Sequence, residues 1–256
     1  MINLKSKRMF VSVFARSFLL QTLWNFERMQ NIGFVYGILP VLRKIYPSPD
    51  DRKDALLRHI GFFNTHPYMV NMIFGLVAAM EDDAAKGKLS KDSIVKTKNN
   101  IAGPLAAIGD SFFWATWLPF TVILTVSLII FLWDENSLRG TIVPLAFFLV
   151  IYNMVALTFC YWSLLMSFKL QNRIMNLVIG IDFQKSMNII KSLGRAILTV
   201  LLVFYIFKFS NGFASVILSI AVFIAGAALG CLRWSPIAIF YITILISAIA
   251  VITGLA

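Results

Sequence analysis

Ile101–Trp117, IAGPLAAIGDSFFWATW, is the stretch that decides the class of this chain. It is apolar enough to sit in a bilayer, yet Gly103-Pro104 and Gly109-Asp110-Ser111 lie within it. Glycine and proline break helices and leave backbone N–H and C=O groups without partners. Hydrocarbon tolerates that only where the irregular backbone lines a cavity or packs against protein. Discontinuous helices of this kind form substrate sites in secondary transporters. An acid at membrane depth, here Asp110, points the same way, because a buried charge is costly and retained for a task. The segment therefore predicts two half-helices meeting at membrane depth, with breaks at Gly103, Pro104 and Gly109. Asp110 or Ser111 would cap the second half and offer polar atoms to a solute.

Composition agrees. Of 256 residues, 59% are hydrophobic and 14% charged, and the mean hydropathy is +0.81. Soluble domains carry about a quarter charged residues, so the class is a membrane protein. The net charge of +11 does not imply nucleic acid, since no basic stripe lies on a polar background. Surplus Lys and Arg instead mark cytoplasmic loops. Cys160 and Cys231 lie in apolar spans without metal or disulfide spacing, and no cofactor is implied. The basic start is followed by a stretch broken by Arg16, with no cleavage site, so an uncleaved N-terminus is expected.

Outward from Ile101 the two directions differ. Residues 1–100 are mixed, and Phe14, Phe18, Leu19, Leu23 and Phe26 recur at helical spacing, as in amphipathic helices on or near a membrane. A polar turn at Pro47–Asp51 precedes a helix expected from Arg52 to Phe63, capped by Asp50. Tyr68–Met80 is apolar but too short to cross about 30 Å of hydrocarbon, so it reads as re-entrant. Residues 81–100 read as a charged, solvated connector. Residues 101–256 form the transmembrane part, with candidate spans Leu118–Trp133, Thr141–Phe168, Ala196–Phe207, Phe213–Leu232 and Pro236–Ala256. The basic stretch Lys169–Arg195 is placed in the cytoplasm and Asp134-Glu135 outside, which puts the N-terminus in the cytoplasm. The expectation is one integral unit: an all-α, polytopic membrane protein with amphipathic N-terminal helices and broken or re-entrant helices.

Two further motifs carry polar chemistry. In QTLWNFERMQNIGF, Glu27 and Arg28 sit among aromatics, either as an orienting ion pair or as a cluster beside a sugar. In RHIGFFNTHPY, Asn64, Thr65 and His66 precede Pro67, either capping a helix or meeting a solute, with Pro67 breaking the chain there. His59 and His66 are seven apart, but no carboxylate or cysteine partner accompanies them, so no metal site is expected. The substrate-binding set is thus Glu27, Asn64, Thr65, His66, Asp110 and Ser111.

WNFERMQNIGF, FFNTHPY, AAMEDD and GPLAAIGDSFFW, in that order, resemble the IID membrane subunit of the mannose-type (mannose/fructose/sorbose) family of the bacterial sugar phosphotransferase system. The likeness is dense over residues 14–120 and weaker beyond, where IAGAALGCL resembles the family's last glycine-rich span. Ala107 and Ala115 stand where the family pattern has glycines. The resemblance implies a multi-pass protein of the bacterial inner (cytoplasmic) membrane that forms a hexose path with a IIC subunit. IIA and IIB components would carry the phosphoryl group on their own histidines, so this chain alone would have no catalytic activity. The family also implies docking by some bacteriocins. The competing expectations are a self-sufficient ion-coupled transporter and a membrane enzyme working through Asp110, Glu27 and His66.

Overall fold

The computed structural model describes residues 7–132, 139–170 and 182–209, with scattered positions beyond. Asp134-Glu135 and Cys231 lie outside the described residues, as do most of Phe213–Leu232, Pro236–Ala256 and residues 171–181. The regular elements among the described residues are all helical: α1 Lys7–Ser17, α2 Asn31–Ile45, α3 Pro49–His59, α4 Val70–Ala85, α5 Lys91–Gly109, a π-helical stretch Asp110–Trp117, α6 Leu118–Leu132, α7 Arg139–Leu170 and α8 Phe183–Phe209.

The core lies in the N-terminal half. Along α4 almost every residue from Val70 to Asp82 is buried, because α2, α5 and α7 enclose it. Gly75 makes the α7 contact possible: a Cβ there would lie 2.2 Å from Ser167 Cβ. Phe34 from α2 stacks on Phe74 from α4 with ring centroids 5.0 Å apart, and Phe63 joins them at 4.4 Å from Phe34. Burying three such rings is among the largest apolar contributions this fold has. Two helical runs, Lys91–Leu132 and Arg139–Leu170, are long and apolar enough to cross a membrane. Their exposed Val, Leu, Ile and Phe side chains suit a lipid-facing surface.

Several boundaries differ from expectation. Helix α1 ends at Ser17, and residues 18–23 are turns, because Arg16 and Ser17 carbonyls take short-range bonds from Leu19 and Leu20. Helix α3 begins at Pro49 and stops at His59. Proline suits the first helical turn, so the helix opens earlier than Asp50 implied. The segment 81–100 is not a wholly solvated connector: α4 runs to Ala85, α5 starts at Lys91 with Ser90 as its cap, and Glu81, Asp82 and Lys98 are buried. The helix does not break at Gly103-Pro104 either. Pro104 removes only one backbone bond, and α5 continues past it into the π stretch and α6.

Candidate functional site

Two loops, residues 24–31 and 60–66, converge beside the start of α2. The first turns on Met29, whose φ of 56° lies in the left-handed region that non-glycine residues rarely adopt. Asn25 N–H donates to Met29 O at 3.1 Å and Met29 N–H to Asn25 O at 2.9 Å. Asn25 Oδ1 accepts the Arg28 N–H at 2.8 Å. This closed turn pushes Phe26, Glu27 and Arg28 outward: Phe26 is 88% exposed, and the Glu27 side chain is 77% exposed and paired with Arg28 at 3.0 Å. An exposed pair of that kind adds little stability. Trp24 packs edge-on against Phe26 at 4.8 Å, forming an aromatic ledge beside the two charges.

The second loop is bolted to the first. Gln30 Nε2 donates to Thr65 O at 2.9 Å, and Thr65 N–H donates back to Gln30 Oε1 at 3.0 Å. Gln30 N–H donates to Phe63 O at 2.8 Å and Phe63 N–H to Arg28 O at 3.3 Å. Asn31 Nδ2 donates to Ile60 O at 2.7 Å. Asn64 is left exposed at the tip of this loop.

Thr65 and His66 face inward. Thr65 Oγ1 donates to Ala102 O at 3.0 Å, tying the loop to α5. His66 is 1% exposed; its ring stacks on Phe113 at 5.3 Å and tilts over Trp114 at 4.7 Å. Its Nδ1 accepts the Tyr68 N–H at 3.2 Å, and Nε2 is buried with no hydrogen-bond partner among the described residues. Burial holds this imidazole down to about 4, so it is neutral at physiological pH. His66, Tyr68, Trp114, Cys160, Ser17 and Gln21 are among the residues lining a cleft of about 210 Å³. Gly109 lets α5 approach: a Cβ there would lie 2.4 Å from the His66 Cβ.

Asp110 is exposed and Ser111 half-buried. Neither begins a new helix. Asp110 N–H donates to Ala106 and Ala107 carbonyls, so no free N–H groups are presented there. The irregularity is a π turn instead, with Thr116 Oγ1 donating to Ser111 O at 2.7 Å. Such turns widen a helix locally and gather at functional positions. The six expected residues thus divide: Glu27, Asn64 and Asp110 on the outside, Thr65 and His66 inside, Ser111 between.

Sequence reasoning missed the cluster around Glu81. This carboxylate is 0% exposed and accepts from Arg58 Nε and Nη2 at 3.0 Å each, His59 Nε2 at 2.8 Å and Tyr46 Oη at 2.9 Å. Burial alone would raise its pKa, but His59 and Arg58 hold it below the usual carboxylate range. Burial, Lys98 and Arg58 push the His59 imidazole down despite Glu81, keeping it neutral and donating. Lys98 Nζ lies over the Phe34 and Phe63 rings at 5.0 and 5.4 Å. A signal did exist: Glu81 falls seven residues after Phe74, on the same face of α4.

The comparisons with known proteins agree with one another. A family model described as "PTS system mannose/fructose/sorbose family IID component" matches residues 4–256. The mannose-specific EIID component of Escherichia coli (strain K12) is 34% identical over 188 residues, 73% of this chain and 58% of that protein. The sorbose-specific EIID component of Klebsiella pneumoniae is 34% identical over 189 residues, 73% and 61%. The fructose permease IID component of Bacillus subtilis (strain 168) is 37% identical over 161 residues, 62% and 55%. The aligned part therefore spans less than two thirds of these relatives' length. Among solved structures, one described as a membrane protein superposes with a TM-score of 0.70 at 27% identity, covering 97% of both chains. The mannose transporter ManYZ, solved by cryoEM in complex with a microcin, superposes at 0.59 and 26% identity, again over 97% of both chains. With its four motifs, its helical membrane fold and a matched model running nearly end to end, the chain belongs to the mannose/fructose/sorbose family of phosphotransferase-system IID components.

Proposed function

We propose that this chain acts as the IID subunit of a phosphoenolpyruvate-dependent sugar permease, forming a hexose path in the cytoplasmic membrane together with a IIC subunit. The observation that carries the reading is the outward presentation of Glu27, Arg28 and Asn64 from two interlocked loops beside the Trp24–Phe26 ledge. Carboxylate, guanidinium and amide groups bind hydroxyls in both donor and acceptor sense, and an aromatic face covers the apolar side of a sugar ring. These groups are exposed here, as half of a site completed by another chain would be. Thr65 and His66, buried, and Ser111, half-buried, support the path from behind, and the exposed Asp110 offers it a further acceptor. IIA and IIB supply the phosphoryl group; His59 and His66 are buried and are not its carriers. The chain is multi-pass with its N-terminus in the cytoplasm. Bacteriocin docking, implied by the resemblance and by the microcin complex of ManYZ, belongs to the same proposal.

The enzyme reading loses on geometry. Among the described residues no hydrogen bond joins Glu27, His66 and Asp110: Glu27 holds Arg28, and His66 Nδ1 is taken by Tyr68. Acid–base chemistry needs those groups within reach of one another. The self-sufficient transporter is separated by experiment. Vesicles holding this chain alone should take up no sugar, whereas co-expression with a matching IIC, IIA and IIB should give phosphoenolpyruvate-dependent sugar phosphorylation. Gradient-driven uptake by the lone chain would refute the proposal.

A further inference from the structure

We propose that Gln30 is a positioning residue that fixes the Phe26–Arg28 tip against the Asn64 tip, so that the two form one pre-set recognition surface; this rests on the sugar-path reading above. Gln30 is 3% exposed and cannot itself meet a solute at that surface. Its amide instead makes a reciprocal pair with the Thr65 backbone, donating to O at 2.9 Å and accepting from N–H at 3.0 Å. An amide is suited to this because it presents a donor and an acceptor side by side, as a neighbouring strand would. The pair joins residues 35 positions apart and, beside the Asn31–Ile60 bond and two backbone bonds, is among the described residues the one place where a single side chain holds the other loop by both a donor and an acceptor.

The rest of the seam is the Asn31 side-chain bond to Ile60 O and a set of backbone bonds that share that register. Gln30 N–H reaches Phe63 O, and Phe63 N–H reaches Arg28 O. The left-handed Met29 lies between them. A non-glycine residue in that conformation persists only when its surroundings hold it there, and the Asn25 and Gln30 bonds are those surroundings. The reward for the strain is visible in what the turn exposes: Phe26, Glu27 and Arg28 face outward while Met29 is half-buried and Gln30 buried. Recognition groups displaced by about 1 Å lose much of their effect, so a buried lock beneath an exposed tip bears on affinity.

The test uses the assembled complex with IIC, IIA and IIB, and as probe whichever of mannose, fructose and sorbose the unmodified complex phosphorylates fastest. Gln30→Leu keeps bulk and removes the amide. Per assembled complex, KM should rise about tenfold while kcat stays within about twofold. Leu42→Ala, in the core of α2 away from both loops, should lower the amount of complex and leave KM unchanged. An unchanged KM in Gln30→Leu overturns the proposal, as does an equal rise in Leu42→Ala. If Gln30→Leu does not assemble, Gln30→Asn, whose amide falls one methylene short, is read the same way. Failure of both to assemble also overturns it, making Gln30 a folding residue. Glu27→Gln and Asn64→Ala tell the two ideas apart. If they leave KM unmoved, the sugar-path reading fails; if they raise it while Gln30 variants do not, only the lock fails.

Discussion

Glu81 shows what a single residue holds in this molecule. One carboxylate joins α2 through Tyr46, the end of α3 through Arg58 and His59, and its own α4. Removing one partner of a buried ion pair leaves the other charged and unpaired, at a cost of about 3–5 kcal/mol. Glu81→Gln should therefore lower the thermal unfolding midpoint of the detergent-purified protein sharply, whereas Glu27→Gln, whose pair is exposed, should barely move it. His66 makes a pH prediction. Its folded pKa, about 4, lies below the ordinary histidine value of about 6.5. The unfolded chain therefore binds the proton first as pH falls. Its contribution to stability is complete above pH 6.5 and is lost as pH falls from there to about 4. In a melting-temperature profile, His66→Phe should flatten that part of the curve relative to the parent.

At the scale of elements, small residues decide which helices touch. A side chain at Gly75 would meet the Ser167 Cβ and the Phe168 backbone N, the latter at 2.9 Å. Backbone cannot move aside as a flexible side chain can. Gly75→Val should thus separate α4 from α7 and destabilise by about 3 kcal/mol, read by unfolding and by loss of a cysteine cross-link engineered between those helices. Element scale is also where sequence reasoning reached its limit. Phe14, Phe18 and Leu19 keep helical spacing across Ser17, where the helix stops, because spacing reports periodicity and not the turn that ends it. Pro104 carries a strong local preference for a break, yet the helix runs through it, since the bonds on either side outnumber the one it removes. Glu81 read as solvent-facing because its partners lie up to 35 positions away. The motif pairs Glu27–Arg28 and Thr65–His66 were legible as polar islands in apolar sequence. Which of them faced out was not, since that depends on the seam between the loops.

For the whole molecule, class was legible early because hydropathy is a sum over many residues and tolerates local error. Topology depends on fewer observations, chiefly the side on which the basic residues fall. In the proposed orientation, with the N-terminus and Lys91 in the cytoplasm, the first long run would exit and Arg139–Leu170 would return. Cysteines placed singly at Lys91 and Lys169 should react with an impermeant maleimide only in inverted vesicles, and one placed at Asn136 only in right-side-out cells. The opposite pattern would reverse the orientation.

The unbroken passage from α5 through the π stretch into α6 also has a mechanical side. At 1.5 Å per residue its 42 residues make a rod about 63 Å long, roughly twice the hydrocarbon thickness. Thr65 grips that rod at Ala102, near one end, and the π stretch sits near its middle. If the widened turn serves as a fulcrum, a swing of about 10° displaces Leu132 by roughly 4 Å, about three quarters of a helical pitch. A pivot there would gear the loop that holds Thr65 to the opposite end of the rod, at Leu132.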